Sequence, residues 1–214
     1  MRRGLLVLAL SALPGAALAQ TTAETKKLEL SGFLGGMSLT QDLGSATNIY
    51  MSVTGVAESV DFGKLYGFGA SWAFTRNIAA EFHLSRSTNA YSLAVDDNEI
   101  GNVSLPDQFE AEQLFVTGGV VFQYPLEVGL IPYGSFGVGQ LRTKPTSAIE
   151  GLESVAGTDV SFGGGVKYWI PAVPWLGVGF DLRYHTATDG LTFPGGDDSP
   201  SGTAYAIAGM VRLF

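Results

Sequence analysis

The sequence predicts an all-β fold: an eight-stranded antiparallel transmembrane β-barrel with long extracellular loops and short periplasmic turns. Three observations predict it. Segments of about ten residues alternate between apolar and polar positions. The connections between them are long and short by turns. In the clearest segments the large apolar residues share one face, and glycines and ions share the other.

The eight segments fall at residues 27–39, 63–74, 78–88, 112–123, 129–143, 158–169, 176–187 and 203–214. Their period is two rather than 3.6, and glycine and β-branched residues pervade them, so strands are expected where helices would need another rhythm. Residues 41–62, 89–111, 144–157 and 188–202 form the long connections, and 75–77, 124–128 and 170–175 the short ones. A barrel with both chain ends in the periplasm needs four of the first kind and three of the second, which is the number present.

Side-chain direction sets a membrane barrel apart from a soluble one. Tyr66, Phe68, Ala70, Trp72 and Phe74 oppose Leu65, Gly67, Gly69 and Ser71. Ile78, Ala80, Phe82 and Leu84 oppose Ala79, Glu81, His83 and Ser85. Val160, Phe162, Val166 and Tyr168 oppose Asp159, Ser161, Gly163, Gly165 and Lys167. Leu176, Val178, Phe180, Leu182 and Tyr184 oppose Gly177, Gly179, Asp181, Arg183 and His185. Eight strands enclose too little volume for so many aromatic rings, whereas glycines and paired charges fit, so the bulky face is expected outside. Trp72, Phe74, Tyr124, Tyr168, Trp169 and Trp175 lie beside the short turns, where a periplasmic aromatic girdle is expected. Gly35, Gly36, Gly134, Gly137 and Gly139 blur the faces of the first and fifth segments, which receive no outward set.

Residues 1–19 are expected to be a cleaved signal peptide. Arg2 and Arg3 precede an apolar run too short to span a bilayer, and Ala17 and Ala19 flank Leu18 ahead of Gln20. Residues 20–214 then form one barrel domain. The chain has no cysteine, so no disulfide or thiolate metal site is available in the oxidising compartment to which the leader points. Twelve Lys and Arg stand against twenty Asp and Glu; loss of Arg2 and Arg3 leaves ten against twenty, a net charge of −10. That balance argues against nucleic acid as a partner, since phosphate affinity needs clustered positive charge. Gly163-Gly164-Gly165 lacks the strand-to-helix context and the lysine of a phosphate loop. The acidic stretches holding Asp96, Asp97, Glu99, Asp107 and Glu110, and Asp189, Asp197 and Asp198, lack the twelve-residue calcium-loop spacing. No cofactor and no metal are expected.

Glu81, His83, Lys167, Asp181, Arg183 and His185 are the polar groups expected in the lumen. Charges removed from bulk water require partners, so these are expected to form a structural network of ion pairs and hydrogen bonds and to have no catalytic duty. Asp181 and Arg183 are expected to share that network with Glu81 and Lys167 on other strands.

Residues 67–81 (GFGASWAFTRNIAAE), 132–139 (PYGSFGVG) and 176–184 (LGVGFDLRY), with the terminal Phe214, resemble the outer-membrane β-barrel domain family that includes the OmpA transmembrane domain and OmpX. The similarity spans nearly all of residues 20–214. It implies a bacterial outer-membrane protein whose partners are outer-membrane lipid and lipopolysaccharide, and whose last strand, ending at Phe214, is read by the outer-membrane assembly machinery. It implies a monomer with a structural or surface-interaction role. Arg212 departs from the family, which has an apolar or aromatic residue at that place; Tyr205, Ile207, Val211 and Leu213 form the apolar row instead. Some small barrels of this kind modify lipid. Here His83 and Ser85 pair a base with a hydroxyl, but their face is the lumen, and His185-Thr186-Ala187 carries alanine at the nucleophile position of the deacylase motif. A narrow channel for small solutes and a soluble periplasmic carrier also compete with the non-enzymatic barrel.

Overall fold

A computed structural model describes residues 27–47, 51–58, 63–97, 101–127, 129–146, 154–190 and 199–213. The expected signal peptide and Phe214 lie outside the described residues. Nine strands are described: β1 (Lys27–Thr47), β2 (Met51–Glu58), β3 (Gly63–Ala73), β4 (Ile78–Asp97), β5 (Gly101–Gln123), β6 (Leu130–Pro145), β7 (Val155–Trp169), β8 (Leu176–Ala187) and β9 (Ser201–Arg212). Each strand from β3 onward pairs antiparallel with the next, and β9 returns to β1, so the sheet has no edge around the barrel wall.

Nine strands make eight courses, because β2 and β3 descend along the same line. β1 pairs β2 from Thr40 to Thr47 and β3 from Lys27 to Met37, while β4 pairs β3 with its lower part and β2 with its upper part. The barrel is thus eight-stranded and closed.

Two of the four expected loops are mostly strand. Residues 41–62 and 89–111 contain the upper part of β1, all of β2, and the upper parts of β4 and β5. Their Asp, Asn, Gly and Pro residues read as turn chemistry, yet the hairpins continue upward. β4 and β5 stay paired from Ile78↔Phe122 to Asp97↔Gly101, with one irregularity between Tyr91 and Leu93. The physical reason is that each added residue satisfies its backbone groups on a neighbouring strand, which overrides weak local propensity.

The short connections are tight turns. Thr75 Oγ1 accepts hydrogen bonds from the amides of Asn77 (3.2 Å) and Ile78 (3.0 Å), closing the turn between β3 and β4. Gly129 has φ +80°, a conformation that only glycine adopts without strain, and its amide bonds Leu126 O at 3.2 Å to close the turn before β6.

Along the wall, burial alternates residue by residue. Phe68 is 70% exposed, Phe162 53%, Phe180 49% and Ile207 64%, while Glu81, Lys167 and Arg183 between them are buried at 8% or less. The two segments that received no outward set resolve as well. β1 turns Leu30 and Leu34 outward, with Glu29, Met37 and Leu39 inside; β6 turns Phe136 and Val138 outward, with Ile131, Ser135 and Leu141 inside. Trp72, Phe74, Tyr124, Tyr168 and Trp175 are exposed beside the short turns. Trp169 is the exception and corrects the expected girdle. It is 7% exposed and points inward, where the Arg212 guanidinium stacks 3.8 Å from its ring centroid.

Candidate functional site

The strand alternation that turns aromatics outward delivers a column of polar residues into the barrel, in three layers above the short turns. In the lowest, Glu29 from β1 accepts hydrogen bonds from Lys167 Nζ on β7 and Arg212 Nη2 on β9, both at 2.9 Å. One carboxylate thus joins the first strand to two near the chain end. The apolar row of β9 is outward and Arg212 is inward, with no irregularity in the pairing of β9 to β1 or β8. Arg212, the ion that interrupts this row in the sequence, is therefore a lumen residue with a partner.

The middle layer is centred on Arg183. Its guanidinium donates to both oxygens of Glu81, at 2.9 and 3.3 Å, across the barrel from β8 to β4. The fork geometry suits a planar carboxylate and fixes both side chains. Arg183 also lies 3.4 Å from Asp181, and Asp181 accepts from the Tyr133 hydroxyl at 2.5 Å. His83 Nε2 is 3.1 Å from Glu81 and 3.4 Å from Arg183. Tyr133 connects the layers, since Lys167 Nζ lies 5.3 Å from its ring centroid. Gly165 makes room for this: a β-carbon there would come within 2.8 Å of the Tyr133 hydroxyl and 2.0 Å of the Phe180 carbonyl oxygen.

In the upper layer His185 Nδ1 faces Asp159 Oδ2 at 2.9 Å, and its ring packs on Phe115 at 4.7 Å between centroids. Above it the lumen becomes apolar. Met37, Leu39, Leu65, Tyr91, Phe115 and Leu141 form one buried cluster, with Gln113 donating to the Tyr91 hydroxyl at 2.8 Å and Asn89 to the Met37 carbonyl at 2.9 Å. Two cavities, of about 30 and 50 Å³, lie above and below the Arg183 layer. Among the described residues no group of three His, Cys, Asp or Glu is placed to hold a metal ion.

All six residues singled out from the sequence lie on the lumen side, but the grouping differs from the expected one in a specific way. Asp181, Arg183 and Glu81 meet, whereas the partner of Lys167 is Glu29. Sequence reasoning left out Glu29, Tyr133 and Arg212, and it did not pair Asp159 with His185. Glu29 and Tyr133 sit in the two glycine-blurred segments; Arg212 carried the one available signal, an ion interrupting an apolar row. His83 and Ser85 share a face, but the contacts of His83 are with Glu81 and Arg183.

No known family profile matches the chain, and no curated relative matches it. Solved structures do. Neisserial surface protein A superposes with a TM-score of 0.53 at 10% identity, covering 87% of this chain and 97% of that one. The outer-membrane protein OprG from Pseudomonas aeruginosa superposes with a TM-score of 0.51 at 14% identity, covering 88% and 96%. The chain has the fold of the small outer-membrane β-barrels.

Proposed function

We propose that this chain, folded as the small outer-membrane barrels are, resides in the bacterial outer membrane as a non-enzymatic protein with a structural and surface-contact role. The observation that carries this reading is the division of the wall. Phe68, Phe82, Phe180, Ile207 and Leu34 are exposed in a continuous outward band, and the charges between them are buried and paired inside. Exposed rings in such number would aggregate in water, whereas lipid covers them.

The interior supports a structural role. Its cavities of about 30 and 50 Å³ have room for a few waters each, since roughly 10–15 Å³ of such space admits one. The pair His185 and Asp159 with Ser161, which stands opposite His185 in the β7–β8 register, has the residue types of a hydrolase. Ser161 and Asp159 are fully buried, however, and an acyl substrate needs an accessible nucleophile. What rises above the barrel on the side away from the short turns is the paired upper part of β1, β2, β4 and β5, and this is the surface offered for contact.

Fractionation tests the location. The exported protein is expected in outer membranes and to resist alkaline extraction; recovery in the soluble periplasm would overturn the reading. Phe180→Arg is expected to lower the stability of the lipid-folded barrel by about 2 to 4 kcal/mol, measured by urea unfolding. The Ser161→Ala and His185→Ala variants are expected to leave the lipid A of the host unchanged in mass; a change that disappears with Ser161→Ala would restore the enzyme reading.

A further inference from the structure

The outward face of the barrel is uncharged through its apolar band and then becomes basic on one side only. Lys64 on β3, Arg86 on β4, and Arg142 and Lys144 on β6 are all exposed and share the parity of the lipid-facing residues on their strands: Tyr66 and Phe68, Phe82 and Leu84, Phe136 and Val138. The register brings them together. Arg86 stands opposite Tyr66 on one side and Leu114 on the other; Leu114 stands opposite Arg142; and Glu112 stands opposite Lys144. Glu112 forms an ion pair with Arg86. With Glu110 one step higher on β5, four cations face two anions in this sector among the described side chains. At the same height on the other wall, the outward positions of β7, β8, β9 and β1 are Ala156 and Thr158, Tyr184 and Thr186, Thr203, and Thr40, all uncharged.

Height identifies what meets these cations. Ten residues of strand separate Phe74, in the aromatic band at the short turns, from Lys64. At about 3.3 Å per residue and a tilt near 40°, that is about 25 Å, the thickness of the apolar band of a membrane barrel. Lys64 and its neighbours therefore stand at the far border of the bilayer, at headgroup level in the outer leaflet. There the stems of Lys and Arg pack on apolar wall while their charged ends reach the interface. A protein of strongly negative net charge has collected its outward cations of this rim in one sector, and charge complementarity selects an anion for it.

We propose that the β3–β6 sector is a docking site for the phosphate of a glycolipid headgroup in the outer leaflet, held by Lys64, Arg142 and Lys144, with Arg86 shared between Glu112 and the lipid. The inference rests on the outer-membrane reading given above. It adds a site, a stoichiometry of about one lipid, and a preferred side of the barrel for lipid contact.

The test uses the full mature barrel, refolded in detergent and titrated with purified bis-phosphorylated lipid A or with its dephosphorylated form, retained complexes being counted by native mass spectrometry. The protein is expected to retain the phosphorylated lipid about tenfold better or more, because each basic residue near an anionic headgroup contributes to that preference. K64Q/R142Q/K144Q is expected to bring the ratio to within about twofold of unity. K64R/R142K/K144R is expected to keep it, and Thr158→Gln on the opposite wall to leave it unchanged. A heat-dependent shift in gel mobility reports folding of each variant. Equal retention of the two lipids by the unaltered barrel, or an undiminished preference in the folded glutamine variant, would overturn the inference. Failure of the unaltered barrel to insert into lipid vesicles would overturn the outer-membrane reading with it, whereas insertion without phosphate preference would overturn this inference alone.

Discussion

The lower and upper halves of the barrel interior solve the same problem in different ways. Both must fill a space that eight strands make too narrow for a channel. Below, Glu29, Lys167, Arg212, Glu81, Arg183 and Asp181 fill it with directional bonds, of which Lys167 to Glu29 and Arg183 to Glu81 join strands not adjacent in the sheet and Arg212 to Glu29 joins the neighbours β9 and β1. Above, Met37, Leu39, Leu65, Phe115 and Leu141 fill it with apolar bulk, and the polar groups among them, such as Asn89, Ser87, Gln113 and Tyr91, are joined by hydrogen bonds without ion pairs. The difference lies in what failure costs. An ion pair in the lower half fixes which strands face each other, but one missing partner leaves a charge stranded away from water. Among the apolar side chains of the upper half a missing one leaves only a cavity, and an apolar residue of similar volume repairs it.

Arg183 gives the largest expected effect. Arg183→Ala strands both Glu81 and Asp181 and is expected to cost about 3 to 5 kcal/mol in urea unfolding of the lipid-folded barrel. Adding Glu81→Gln is expected to return a substantial part of the loss, because the bidentate partner no longer carries a charge. If the double variant is as unstable as the single one, the lower half is not governed by charge compensation.

The apolar side chains of the upper half are expected to respond to volume alone. Leu141→Ala removes a residue only 1% exposed and is expected to cost about 2 to 5 kcal/mol, with no polar substitution elsewhere able to compensate; Leu141→Met is expected to cost less than about 1.5 kcal/mol. Equal losses for Ala and Met would mean that shape, not filling, matters there.

The smallest effect sharpens the boundary between the halves. Tyr91→Phe keeps the bulk and removes the hydroxyl that receives Gln113 Nε2, so it is expected to cost about 1 to 3 kcal/mol for one unsatisfied buried donor. Tyr91→Phe/Gln113→Leu is expected to be nearly neutral relative to the unaltered barrel. A large residual loss in the double variant would show that polar bonding holds the upper half as well.

Much of the fold was legible because a β-barrel with outward apolar rows writes its architecture in a period of two. Phe68, Phe82, Phe162 and Phe180 showed their faces without any structure, because each strand there offered a contrast between a bulky residue and a glycine or an ion. Where the contrast was missing the reading stopped. Gly35, Gly36 and Gly134 hid Glu29 and Tyr133, and the turn-forming residues of 41–62 and 89–111 hid strands whose pairing supplies what local propensity does not. Trp169 failed for a different reason: its position beside a turn matched a girdle, but its parity placed it under Arg212.

By itself the sequence determined the number of courses, their antiparallel order and, over most of the wall, which residues face outward, since these follow from alternation and connection length along one chain. It determined that charges lie inside. Only the tertiary structure decided that Glu81 reaches Arg183 four strands away, that Lys167 turns to Glu29, and that four cations scattered between residues 64 and 144 stand together on one rim. The physical reason is closure. Partners across the lumen and neighbours around the wall are set by register and by the return of β9 to β1, and no periodicity within a single strand carries that information.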